Sequence, residues 1–230
     1  MNYEITRLAS IPSTNTYVME QLRAGALIGA GVVVADRQTA GKGRNNKEWY
    51  SDNTLGLWAT VYFAGLSGPP FFLVRRVSVA ACLALRDLGV DAAIKWPNDV
   101  EAKKRKICGV LAETCAQGVA AGFGVNLRHS ANDFPADIRE RATSAFIETQ
   151  ETVANGRFLE LFLDHFSANA LPEPLAKLYD GMLSIKGQEM LFEGGRVRVL
   201  GVMPDGALAV QDGQGREGLF YSGSLSWPNQ

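Results

Sequence analysis

The sequence predicts a larger mixed α/β domain followed by a small all-β one. Up to about residue 181, short apolar and period-2 runs alternate with stretches of helical periodicity. Beyond Gly181 the texture changes to short strand-like runs separated by Pro-Asp-Gly and Asp-Gly turns. With 230 residues, 47% of them apolar and 20% charged, the chain is large enough for a substantial core.

Taken in order, strands are expected near Tyr3–Leu8, Gly31–Asp36, Thr54–Phe63, Ala92–Trp96, Ile107–Thr114 and Val119–Val125. Ser13 or Thr14 caps a helix running toward Ala24 and stopped by Gly25. Pro70 opens a longer helix over Phe71–Leu88, with Gly89 as its terminator. Two more helices fit Gly156–Ala168 and Pro174–Met182. The turn-rich tail, about Ser184–Trp227, reads as a small antiparallel barrel needing only local pairing.

Composition narrows the function classes. The formal charge of −1 gives no sign of bulk nucleic-acid binding. The N-terminus, M-N-Y-E-I-T-R-L, lacks the regions of a signal peptide, and no apolar run approaches a membrane span. Cys82, Cys108 and Cys115 have neither paired nor metal-type spacing and read as reduced thiols, consistent with the cytoplasm. With only His129 and His165, a histidine-built metal site is not expected.

Four segments carry chemistry. In Gln38–Trp49, Gly41 and Gly43 permit positive φ and close approach of backbone N–H groups to an anion. Lys42, Arg44 and Lys47 add positive charge, so the loop suits a carboxylate or phosphate, or else is a solvated basic loop. No G-x-x-x-x-G-K-[ST] string is present, so Walker-type binding is unsupported. In Lys95–Asp99, K-W-P-N-D, Pro97 forces a turn and Trp96 anchors the strand. Asn98 closes the turn, whereas Lys95 and Asp99 are harder to explain that way; Asp99 suits Mg²⁺ or an attacking amine's proton.

In Lys103–Glu113 the first lysines, Lys103 and Lys104, read as a solvated hairpin tip. Lys106 abuts the apolar strand and points inward by alternation, and Gly109 lets a ligand lie against the backbone. In Ala120–Leu127, Gly122 and Gly124 alternate to leave a smooth groove, closed by Asn126; tight packing against a helix is the other reading.

Together and in this order these segments resemble the biotin protein ligases. The family pattern is met by Ser13-Thr14-Asn15, Gly41-Lys42-Gly43-Arg44, K-W-P-N-D, Lys106–Glu113 and Gly122–Asn126, across most of residues 5–128. Two departures stand in the loop: Lys42 replaces an arginine fork with a point charge, and Asn45 and Asn46 replace Arg-Gly. The resemblance implies an α+β fold, a mixed sheet flanked by helices of the class II aminoacyl-tRNA synthetase type over residues 1–183. A small C-terminal SH3-like β-barrel is expected over 184–230.

It also implies a two-step ligase reaction. Biotin attacks the α-phosphate of Mg²⁺-ATP to give biotinyl-5′-AMP and pyrophosphate, and a lysine of a biotin carboxyl carrier protein or domain then displaces AMP. On that reading Arg44, Lys106, Lys42 and the Gly41–Arg44 backbone meet the anions, and Asp99, with Lys95 nearby, handles the acceptor amine. Ser13, Thr14, Asn15 and Gln38 face the ureido ring, Gly109, Gly122 and Gly124 wall the bicycle, and Asn126 completes the site. The Gly-rich loop is the expected lid, and adenine is placed around Arg128–Phe134, where the readings are a solvated loop or stacking on Phe134 or His129. The alternatives are a lipoate or octanoate ligase or transferase, and a non-catalytic biotin-binding module. A DNA-binding repressor is not expected, since only a dozen residues precede Ser13. A sheet-edge homodimer occurs in relatives, and the sequence leaves the oligomeric state open.

Overall fold

The structure is a computed structural model that describes residues 3–228. Its larger sheet has seven strands: β1 Glu4–Ile11, β2 Ala30–Gln38, β3 Gly56–Ala64, β4 Ala92–Lys95, β5 Asp99–Ala102, β6 Arg105–Cys115 and β7 Gly118–Asn126. Their order is β1-β2-β3-β7-β6-β5-β4. Only β1 and β2 run parallel. That pair needs a crossover, and α1, Thr14–Arg23, supplies it, capped by the Ser13 side chain and ended at Gly25 with φ +67°.

Alternation on the strands sorts side chains to two faces. Val33, Tyr62 and Ala120 meet Val18, Met19 and Leu22 of α1 on one face. Val32, Val34, Leu57, Phe123 and Val125 face the other way, into a larger core under α2, Pro70–Asp87, and α4, Asn155–Ala168. Burial on both faces explains why β2 reads as an unbroken apolar run.

Three features depart from the expected layout. K-W-P-N-D stands at the end of β4 and turns the chain as expected, through a cis Trp96–Pro97 bond, but the turn opens a β4–β5 hairpin whose second strand, beginning at Asp99, was not foreseen. A short helix, α3 Ala145–Thr149, was not foreseen. The last helix, α5 Pro172–Gly181, starts two residues before Pro174.

The tail forms a second sheet from β8 Glu189–Phe192, β9 Gly195–Val202, β10 Leu208–Asp212, β11 Glu217–Phe220 and β12 Leu225–Ser226. The order is β11-β10-β9-β8-β12 and all pairs are antiparallel, a form compatible with the small barrel expected. Glu193 and Gly194, at φ +46° and +86°, make the two-residue β8–β9 turn whose backbone matches strand twist. This sheet leans on the larger one. Arg75 of α2 donates to the carbonyls of Pro204 and Met203, and Trp96 Nε1 donates to Gly206 O.

Candidate functional site

α1 covers only part of its sheet face. Where the helix begins, β7 and β6 lie open beneath a cavity of about 830 Å³. Of the residues assigned to the site from the sequence, Ser13, Thr14, Asn15, Gln38, Lys42, Gly43, Arg44, Lys95, Asp99, Lys106, Gly109, Gly122, Gly124 and Asn126 line it, and Gly41 does not. Gly41 is buried just behind, where a Cβ would collide with Ser51 Oγ and Trp49 O.

One end of the cavity is polar and uncharged. Gln38 Oε1 accepts from Thr14 N (2.8 Å) and Thr14 Oγ1 (3.0 Å), and its Nε2 donates to Ser51 Oγ. Thr60 Oγ1 donates to Thr14 Oγ1 at 2.9 Å. Gln38 is therefore oriented by the scaffold, with Oε1 taken up by Thr14 and one Nε2 N–H by Ser51. Asn15 differs: Glu113 Oε2 accepts from its Nδ2, which orients the amide and leaves Oδ1 buried without a partner. An orphaned acceptor in a cavity wall is costly unless a donor arrives.

The glycines form the floor, but not a bare one. A Cβ on Gly124 would strike the Trp49 indole, one on Gly109 would come within 3.0 Å of it, and one on Gly122 within 3.0 Å of Asn15. Trp49 closes the Gly-rich loop, which is a small hairpin bridged at Lys42 and Glu48, with Gly43 N donating to Lys47 O at 2.7 Å. Neither Gly41 nor Gly43 uses the positive φ that glycine permits: Gly43 sits at −108°, and Asn45 takes the left-handed turn at +55°. Asparagine tolerates that region because its short amide bonds locally. The side chain of Asn46 lies outside the described residues. Arg44 Nη1 donates to Asn98 Oδ1 at 3.1 Å, while Asn98 Nδ2 donates to Val110 O. Asn98 thus ties the loop to β6 instead of merely closing a turn.

The other end is charged. Opposite β5 the register of β6 slips, so that Val100 pairs with Cys108 but Glu101 with Lys106. This bulge leaves Ile107 and Cys108 both in the core and turns Lys106 and Gly109 together toward the cavity. Simple alternation would not have done so. Lys106 Nζ lies 2.7 Å from Asp99 Oδ1 and 5.1 Å from the Trp49 ring centroid. Lys95 stands across from Asp99 in register. Lys106 is also held from behind, its N–H donating to Arg141 O and its carbonyl accepting from Thr143 N. Asn126 Nδ2 donates one hydrogen bond to Thr143 O, which orients the side chain.

Beyond Asn126, Phe134 lines the cavity and stacks on His129, centroids 4.9 Å apart. His129 itself is fully buried and outside the lining, which removes it as a stacking ring. Desolvation pulls its pKa from 6.5 to about 4. Lys104 is not simply a solvated tip: it lies 4.2 Å over the Trp227 ring and lines the cavity, while Lys103 pairs with Glu148. Trp49, Asn98, Glu101, Arg141 and Ser224–Ser226 also line it without having been singled out. Trp49 and Asn98 sit inside segments that were, but nothing in their spacing gives their direction. Among the described residues no group of three or more His, Cys, Asp or Glu side chains could hold a metal alone.

Residues 8–129 match the family described as the biotin/lipoate A/B protein ligase family. The chain is 34% identical over 122 residues to the bifunctional ligase/repressor BirA of Bacillus subtilis, covering 49% of this chain and 37% of that protein. It is 37% identical over 134 residues to the biotin–[acetyl-CoA-carboxylase] ligase of Paracoccus denitrificans, 52% and 53% of the two chains. The chain thus matches about a third to a half of the length of these relatives. In fold it resembles the biotin protein ligase of Aquifex aeolicus solved with biotin and ATP, with a TM-score of 0.81 at 24% identity over 97% of both chains. With more than half of its length matched, this chain belongs to the biotin/lipoate A/B protein ligase family.

Proposed function

We propose that the protein is a biotin–protein ligase that forms biotinyl-5′-AMP from biotin and ATP, then passes biotin to a lysine of a carboxyl carrier domain. The observation that carries this reading is one cavity joining an uncharged hydrogen-bonding patch to a cationic end across a glycine floor. Relatives named as biotin ligases, and the Aquifex protein solved with biotin and ATP, support it. The three free cysteines fit a reducing cytoplasm, and no described helix is long and apolar enough to cross a membrane.

The polar patch takes the ureido ring. Asn15 Oδ1 accepts one ring N–H, and Ser13 and Thr14 bound the same end. Gly109, Gly122 and Gly124 leave width for a flat bicycle once Trp49 shifts with the loop. The carboxylate then points to the charged end, where Arg44, Lys42 and Lys106 offset its repulsion from the α-phosphate. Mg²⁺, carried in on the phosphates, supplies further charge neutralisation there, with Asp99 as its candidate contact. Phe134 offers the adenine a ring face. Closure of the Gly41–Trp49 hairpin keeps water from the mixed anhydride, and Arg44 lies equally exposed to protease with and without ligand if that closure does not occur. In the second step Asp99 orients or deprotonates the acceptor amine, and normal transfer from preformed adenylate by Asp99→Ala would end that role.

The test is mass spectrometry of the protein incubated with Mg²⁺-ATP and either biotin or lipoate. Biotin-dependent biotinyl-AMP and pyrophosphate are expected, with Arg44→Ala slowing adenylation by on the order of 10²–10³. Adenylate with lipoate alone transfers the reading to the lipoate branch, and none with either acid leaves a binding module.

A further inference from the structure

We propose that Glu101, together with Asp99, holds a divalent cation that arrives with the nucleotide phosphates; this rests on the nucleotide reading of the cavity. In β5 the core claims Val100 and Ala102, 0% and 1% exposed, so the strand's period of two turns Asp99 and Glu101 to the cavity face. Both line the cavity.

Glu101 is a carboxylate in an unusual position. It is 4% exposed, and its Oε1 is buried with no hydrogen-bond partner among the described residues. Burying a carboxylate is expensive unless it is paired or coordinates a cation. The nearest cation in register, Lys106, is committed elsewhere, with its ammonium 2.7 Å from Asp99. Among the described residues no cation or donor is paired with that oxygen, which lies in the wall of the cavity read as a polyanion site. Left bare, that oxygen would repel the phosphates, and a bridging cation reverses the sign of the interaction.

The donor chemistry fits. Two carboxylates with substrate phosphates are the usual protein contribution to Mg²⁺, which keeps its remaining waters and needs no all-protein cage. The lack of any larger ligand cluster among the described residues agrees with such a shared site. Hard oxygen donors without histidine or thiolate also point to Mg²⁺ or Mn²⁺ rather than zinc.

The experiment uses the full chain with biotin, an ATP analogue bearing an α,β-methylene bridge, and Mn²⁺, reading free Mn²⁺ by electron paramagnetic resonance. Glu101→Gln should weaken Mn²⁺ binding in that complex by about ten-fold or more, with biotin binding in the absence of nucleotide and metal unchanged. Equal Mn²⁺ affinity in the two proteins overturns the assignment. So does a variant that binds Mn²⁺ normally but transfers biotin poorly from preformed adenylate, which would give Glu101 to the acceptor amine. Should the variant not fold, anomalous scattering from Mn²⁺ in crystals of the unaltered protein decides: a peak at coordinating distance from Glu101 supports the site, and one on phosphate oxygens alone removes it. Failure of the unaltered protein to bind the analogue at all is a separate result, one that ends the nucleotide reading itself.

Discussion

His129 is enclosed between Trp58 and Phe134, and neither ring nitrogen has a hydrogen-bond partner among the described residues. Desolvation holds it neutral down to about pH 4, whereas the unfolded chain takes up a proton near 6.5. Protons therefore favour unfolding: the contribution is complete above pH 6.5 and is lost as pH falls toward 4, by about 3 kcal/mol at most. His129→Leu should flatten that part of the stability profile, read as urea midpoints at pH 7 and pH 4.5. Parallel profiles for the two proteins would show that another group sets the acid limb. At this scale the sequence was informative where a residue's role follows from its type. Ser13 as a cap and Arg44 beside the cavity were readable, and Lys106 was read as inward, though by an alternation that the β6 bulge replaces. Glu101 was not, because its importance comes from a burial and a missing partner that only the β5–β6 register creates. The hydrogen bonds that fix Gln38 to Thr14 and Ser51 were not readable either, since a polar side chain in a site can also serve the chain itself.

Elements with strong punctuation were legible: α1 by Ser13 and Gly25, α2 by Pro70 and Gly89, and β2, β3 and β7 by their apolar runs. β5 and α3 were not, being four and five residues long, too short for either periodicity to register. The bulge that aims Lys106 has no sequence signature here either. β7 is the element whose glycines can be tested most directly. Gly124→Ala places a methyl group against the Trp49 indole, so the loop must move. Overpacking of this kind costs about 1–3 kcal/mol, and tryptophan emission should shift to the red as Trp49 is pushed into solvent. Gly122→Ala meets Asn15 only at 3.0–3.2 Å and should leave the emission unchanged. Identical spectra for Gly124→Ala and the parent would mean that the indole does not rest on this strand.

At the scale of the molecule, the proposed division near residue 184 separates two sheets but not two cores. Leu183 and Ser184 are themselves stitched to β4, with Ile94 N donating to Met182 O and Ser184 N to Ile94 O. The apolar cluster that contains Trp96 and Tyr179 continues into Met190, Val199, Leu208 and Trp227. Ser224, Leu225 and Ser226 line the same cavity as Lys106, so the site is incomplete without the second sheet. Arg75 is the main polar clasp. Only 3% exposed, it bonds two carbonyls of the β9–β10 turn, and its guanidinium lies 5.1 and 5.5 Å from the Phe71 and Tyr179 ring centroids. A shared core of this kind argues for one cooperative transition. In urea, the helical signal at 222 nm, which comes from elements before residue 182, should fall together with amide protection in β9 and β10. Arg75→Met leaves two carbonyls without their charged donor, so both midpoints should drop together, with a loss of stability of about 2–4 kcal/mol. If protection in β9 and β10 is lost at lower urea than the helices in the unaltered protein, the sheets are separable units. Arg75 would then be a clasp between them rather than part of a single core.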